Sequence, residues 1–171
     1  MIPQSLVRAD GSPAIGKTRE QWLTEIAVRL RPWFSLRGYE IPLRVRLGVG
    51  ALGISRRTLG VCHCPGDRDG FQHITISPFI DDPVLVATVL VHELIHAILP
   101  ASEGHGRLFE AAASALGLVG KPTIAAAGPE LHAHLQDLVR ATGPYPHRAL
   151  VLGDGARSAA HAGSRPPMVC R

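Results

Sequence analysis

Cysteine is scarce: Cys62, Cys64 and Cys170 are the only three in 171 residues. So sparse and odd a count excludes the multi-bridge framework that staples small secreted domains. Aromatic residues make up only 5% of the chain. Lysine is nearly absent, so the 18 basic residues, set against 14 acidic ones, are almost all arginine. A membrane-spanning run is lacking too. The longest apolar stretch, Val84 to Leu99, is interrupted by Thr88, His92, Glu93 and His96, which makes it too short and too polar to cross a bilayer. Met1 to Ala14 contains no continuous apolar segment, so no secretory signal is expected. A protein of the cytoplasm is the simplest expectation. No internal repeat is visible.

What is present suits a folded domain. Hydrophobic residues are 46% and charged residues 19% of the chain, outside the composition of disordered chains. The length fits one domain with a tail, and a chain of this size can bury a core without staples. The formal charge of +4 permits nucleic-acid contact without demanding it. A codon bias toward Arg, Ala and Gly would produce the same balance. Arg44, Arg46, Arg56 and Arg57 are the candidates for phosphate contact, and a solvated strand face accounts for them equally well.

Residues 1–17, with Pro3, Gly11, Pro13 and Gly16, read as an irregular lead-in. Thr18 to Gln21 has the form of a capping box, and Trp22, Ile26, Leu30 and Trp33 follow at helical spacing. Pro32 and Gly38 are expected to end that helix. Leu43, Val45 and Leu47 alternate with Arg44, Arg46 and Gly48, a half-buried strand with its arginines outward. Leu59 to Cys64 and Phe71 to Ser77 read as two more strands, with a turn at Pro65 to Gly70. Asp82 followed by Pro83 is a strong helix start. That helix should run to about Leu99, stop at Pro100, and lie buried, since it is apolar nearly all round. Further helices are expected over roughly 106–118 and 129–141. The Gly- and Pro-rich residues 144–171 are expected to form an extended or mobile tail. The expected class is α+β, with one domain over residues 18–143.

The chemistry concentrates in His92-Glu93-Leu94-Ile95-His96. Residues four apart on a helix stack on one face, so His92 and His96 offer two imidazoles to one point. Imidazole nitrogen binds zinc at about 2.0–2.1 Å. Glu93, next to the first ligand, projects near the metal without ligating it, where it can take a proton from an attacking water. Such a run arises by chance in a chain of this size on the order of once in a few hundred. Burying its three polar side chains without a partner would cost several kcal/mol, and one metal ion explains all three.

A catalytic site needs a third protein ligand and an open position. His105 lies nine residues after His96, beyond a turn at Pro100 to Gly104. It is expected on one helical face with Leu108, Phe109, Ala112 and Leu116. Glu103 and Glu110 are the rivals, with Glu103 assigned to the turn and Glu110 off the apolar face. Metzincin spacing would need Gly at position 99 and His at 102, where Leu99 and Ser102 stand.

Gly104-His105-Gly106-Arg107-Leu108-Phe109 following the His92–His96 run resembles the SprT-like metallopeptidases, which include the DNA–protein crosslink protease Spartan. Upstream, Arg44-Val45-Arg46, Gly60-Val61-Cys62 and Ile74-Thr75-Ile76-Ser77-Pro78 are similar in order to the strands that precede the metal helix in that family. Gly143 to His147 resembles a segment of phage and bacterial members. The resemblance covers roughly residues 18–150. It implies a zincin-like fold, one zinc held by His92, His96 and His105, Glu93 as general acid and base, and action on proteins, often DNA-bound ones. It also implies that an extended substrate lies along the edge strand nearest the metal. Many members carry a four-cysteine zinc ribbon after the catalytic domain. Pro166 to Arg171 is similar to its first edge, and a lone Cys170 cannot hold zinc.

Smaller candidates remain. Tyr145 or His147 could stabilise the oxyanion formed when water attacks a peptide carbonyl, or serve an ordinary Pro-rich loop. Cys62-His63-Cys64 is spaced too tightly for the usual zinc pair and reads as a half-buried strand end. His132 and His134, two apart on a helix, are expected at the surface. Three functions stay open: a protease on DNA-associated proteins, a protease on one regulatory protein without DNA, and a binding module with a purely structural zinc.

Overall fold

The structure, a computed structural model, describes residues 16–50, 58–64 and 66–151. Helix α1 (Arg19–Ser35) begins at the expected capping box: Gln21 N–H donates to Oγ1 of Thr18, and the Thr18 N–H donates to the Gln21 side chain. Its buried face is Trp22, Leu23, Ile26, Leu30 and Phe34. Pro32 does not end this helix, as expected from sequence, but lies inside it. The missing donor would have bonded the carbonyl of Val28 one turn back, whose residue is exposed to water. Gly38, at φ 82°, turns the chain instead.

Three strands follow: β1 (Val45–Val49), β2 (Gly60–His63) and β3 (Gln72–Ile76). They form one sheet in the order β1-β3-β2, with β1 parallel and β2 antiparallel to β3. The crossover puts β2 at the edge beside α2 (Pro83–Ile98). Leu47, Ile74 and Cys62 share a register row against the helices, and Arg46, His73 and His63 share a row on the other face. The period-two reading therefore holds, but β1 starts at Val45: Leu43 is 88% exposed. Arg31 donates to the carbonyls of Ile41 and Pro42, which holds the preceding segment to α1 in an irregular path.

Helix α2 is the centre of the molecule. Asp82 caps it by accepting from the Leu85 N–H at 2.7 Å, and Pro83 opens it. Ten successive residues, Val86 to Ile95, are buried. The sheet lies on one side of it and α1, α3 and α4 on others. Each fully buried Leu, Ile or Val here contributes roughly 1.5–3 kcal/mol of apolar transfer.

After α2, a 3-10 turn (Ala101–Glu103) leads to α3 (Arg107–Leu116), which closes at Gly117 with φ 93°. A two-stranded hairpin that the sequence reading did not anticipate, β4 (Leu118–Val119) and β5 (Ala126–Ala127), separates α3 from α4 (Pro129–Thr142). The indole N–H groups tie these layers together: Trp22 donates to the Gly143 carbonyl and Trp33 to the Leu116 carbonyl. His134, expected at the surface, is half-buried and stacked on Trp33 at 4.2 Å, while His132 is exposed.

Residues 144–151, expected to belong to an extended or mobile tail, pack on the domain instead; residues 152–171 lie outside the described residues. Tyr145 is buried edge-on against Trp22. The Ala149 N–H donates to the Asp81 carboxylate and the Leu150 N–H to the Pro78 carbonyl. This segment is fixed by packing of one aromatic ring and by three backbone groups, counting the Arg148 carbonyl that accepts from Arg19. No helix among the described residues is long and apolar enough to cross a membrane.

Candidate metal centre

His92 and His96 project from one face of α2, and the turn after Pro100 brings His105 to them. Nε2 of His105 lies 3.1 Å from Nε2 of His92 and 3.2 Å from Nε2 of His96. These atoms form the one group of three or more potential metal ligands among the described residues. Three nitrogens at about 2.05 Å from a tetrahedral ion stand about 3.3 Å apart, close to the spacing found. Neutral imidazoles alone satisfy the arrangement poorly. A single Nε2 of His105 cannot donate well to two neighbours, and a proton on each would set like charges face to face. A cation answers all three lone pairs, so the residues fit a metal ion.

The electrostatics favour ligation. Burial, followed by the neighbouring His96 and His105, lowers the pKa of His92 to about 3. Burial, followed by His105, lowers that of His96 to about 4. Burial also lowers His105. The three rings are neutral at pH 7 and present lone pairs, as metal ligands must. Unfolding returns each to the ordinary value of 6.5, so the unfolded chain binds more protons than the folded one between the two values. Stability of the metal-free protein is therefore full above about pH 6.5 and falls as acid carries the histidines toward their folded values. The melting temperature of chelator-treated protein is expected to drop by several degrees between pH 7 and about pH 4.5. A flat profile would show that the rings are not buried as described.

His105 sits differently from its expected place. It lies in the turn before α3, not on the helical face, and Leu108 is half-exposed while Phe109, Ala112 and Leu116 are buried. The turn is built by Glu103 and two glycines. Oε1 of Glu103 accepts from the Leu108 N–H at 2.7 Å, capping α3 where Gly106 offers no side chain. A Cβ at Gly106 would come within 2.5 Å of that oxygen, and Gly104 adopts φ 53°. Glu103 is thus occupied by the helix start, as the turn assignment anticipated, and Glu110 is exposed. Phe109 is the ring on which the site is built: its centroid lies 4.5 Å from that of His96 and 4.8 Å from those of His92 and His105. Sequence reading placed Phe109 in the core. Its position four residues after His105 was the signal for a closer role.

Glu93 is fully buried on α2 beside His92, under the start of β2. Nδ1 of His92 is buried without a hydrogen-bond partner among the described residues.

The remaining candidates make other contacts. Tyr145 is edge-on to Trp22 at 5.1 Å with the Arg19 guanidinium over its ring, and burial raises its pKa to about 12. His147 is exposed in the same segment. Arg44 donates to the Asp69 carbonyl. Arg46 lies 4.2 Å over the Phe71 ring and pairs with Asp67 at 3.1 Å. Asp67 also bonds His73, the leading cause of its lowered pKa. Arg56 and Arg57 fall outside the described residues. Cys62 lies on β2, but Cys64 falls just past its end, so the two do not share a strand face as expected; they are joined in a disulfide across His63. It closes a ring of three residues, and so is no framework.

Compared with known proteins, the chain matches no family model, no curated protein and no solved structure. What stands on the geometry alone is an α+β domain whose central helix and following turn bring three histidines close enough to hold a metal ion.

Proposed function

We propose that this chain is a zinc-dependent metallopeptidase of zincin-like architecture, with His92, His96 and His105 as ligands and Glu93 as general base. The observation that carries the reading is the convergence of three imidazole Nε2 atoms, with a carboxylate buried on the helix that supplies two of them. A purely structural site would give the buried Glu93 no part in the chemistry, whereas a catalytic site uses a carboxylate beside the first ligand as its base. Ligands that are all nitrogen, one short of a closed tetrahedral shell, suit catalytic zinc. When bound there, zinc would polarise a scissile carbonyl and acidify a water. Glu93 accepts the water's proton and returns it to the leaving amine. The edge of β2, which pairs only with β3 among the described residues, suits an extended peptide added as a further strand. These features, and the resemblance to SprT-like peptidases, support action on proteins. The commitment of Arg46 to Asp67 and of Arg44 to a backbone carbonyl leaves a DNA role resting on the resemblance.

The test is the metal content of the purified chain, with cleavage of casein or histone measured with and without DNA. Near-stoichiometric zinc and cleavage stopped by a chelator are the expected result. Stimulation by DNA would select DNA-associated substrates, and indifference to DNA would point to a protein substrate recognised alone. Zinc bound with no cleavage of any substrate would overturn the peptidase reading.

A further inference from the structure

Gly60 opens β2, buried, on the strand face turned toward α2. A Cβ built there would stand 2.5 Å from Oε1 of Glu93, 2.8 Å from its Cγ and 2.7 Å from Cγ1 of Val89. Its φ is not among the positive ones, so its backbone conformation suits any residue. Glycine inside a strand weakens it and marks a close approach of another group. At Gly60 the reason for glycine is therefore space, and the group that fills the space is the Glu93 side chain. Rotation of the carboxylate would relieve the contact at Oε1 but not the one at Cγ, which lies nearer the helix backbone. Relief there requires turning the whole side chain about its inner bonds, and that carries the carboxylate away from its present place.

We propose that Gly60 is a positioning residue for Glu93: the missing side chain is what lets the carboxylate lie against the edge strand beside the three histidines. The inference rests on the reading of Glu93 as general base. Val89 supplies the competing explanation, in which glycine serves only the packing of β2 on α2. The two differ in what relieves a Cβ. Under the proposal, removing the Glu93 side chain makes room for it. Under simple packing, trimming Val89 does.

The experiment is a double-mutant cycle on the chelator-treated protein, with kinetics on the metal-loaded form. Gly60→Ala is expected to lower the melting temperature by several degrees when Glu93 is present and by little in a Glu93→Ala background. Metal-loaded Gly60→Ala should keep its metal and lose at least about tenfold in kcat, with KM changed by less than about threefold. Gly60→Ala/Val89→Ala should stay equally slow. Equal melting losses in both Glu93 backgrounds, or kcat restored by Val89→Ala, overturn the proposal. If Gly60→Ala fails to fold, folding of Gly60→Ala/Glu93→Ala upholds the contact, and its failure too refutes it. If the parent protein cleaves nothing, the peptidase reading falls, while the melting cycle still decides whether Gly60 makes room for Glu93.

Discussion

Glu93→Gln is expected to bind metal as the parent does and to lose peptide hydrolysis by about 10²- to 10⁴-fold, the range that a positioned acid–base group supplies. Glutamine keeps the length and nearly the volume of glutamate, so the buried surroundings of α2 need not repack. The three nitrogens close enough to hold a metal come from other residues, and neither ligand number nor turn geometry changes. What disappears is the ability to take a proton. Glu93 is fully buried, so the melting temperature of the variant checks that glutamine is accommodated there as glutamate is. Bound zinc measured by mass spectrometry, melting temperature and initial rate on an unfolded protein substrate together give the answer. Full activity would transfer the base role to another group. A loss of metal would make Glu93 part of the ion's support, and the peptidase reading would lose its proton carrier.

The parts of this site that were legible from sequence are those fixed by local chemistry. The Asp82 cap, Pro83 and Pro100 bound α2, and spacing four apart puts His92 and His96 on one face whatever surrounds them. The capping box at Thr18 is equally local. The class, α+β with three strands, followed from alternating stretches around Val45 and Ile74 and from the short run between the turns that flank Gly60. What escaped depends on residues distant in sequence. Pro32 survives inside α1 because that helix is held by its buried face and by Arg31 and Trp33 bonding elsewhere. The β4–β5 hairpin is two residues deep and built from Leu, Val and Ala, so it carries no periodic signal. Tyr145 is buried because Trp22, more than a hundred residues earlier, offers it a surface. Gly60 was read as one residue of a strand. Its bearing on Glu93 exists only once the edge of the sheet lies across α2. The order of strands, with β2 outside β3, is likewise set by the parallel crossover from β1 and not by any local pattern.

The placement of His105 in a turn makes its contribution more conditional than that of the helical pair. His92 and His96 are held by a helix buried along ten successive residues, so their rings are arranged before any ion arrives. His105 depends on Gly104 at a positive φ, on the Glu103 cap, and on Phe109 beneath it. The two halves of the site thus differ in what holds them: a pair fixed by the helix, and a third arm fixed by a turn.

His105→Ala is accordingly expected to leave the fold intact and to weaken zinc binding by more than about 100-fold, the upper end of what losing an outer-shell partner costs. The substitution removes a half-buried ring from a turn, so little core packing is lost, and the remaining imidazoles still face one point at two-ligand affinity. The loss should also shift the acid behaviour of the pair. His105 is among the causes that lower both His92 and His96, so without it both rise toward the ordinary value, and protons compete with metal at a higher pH. Titration with zinc against a chromophoric chelator, at two pH values, reads both effects at once. Glu110→Gln, on the exposed side of α3, is the matching control and should bind zinc as the parent does. An unchanged affinity in His105→Ala, with a loss in Glu110→Gln, would remove His105 from the first coordination shell and give its place to a carboxylate, turning an all-nitrogen site into the two-histidine, one-carboxylate kind.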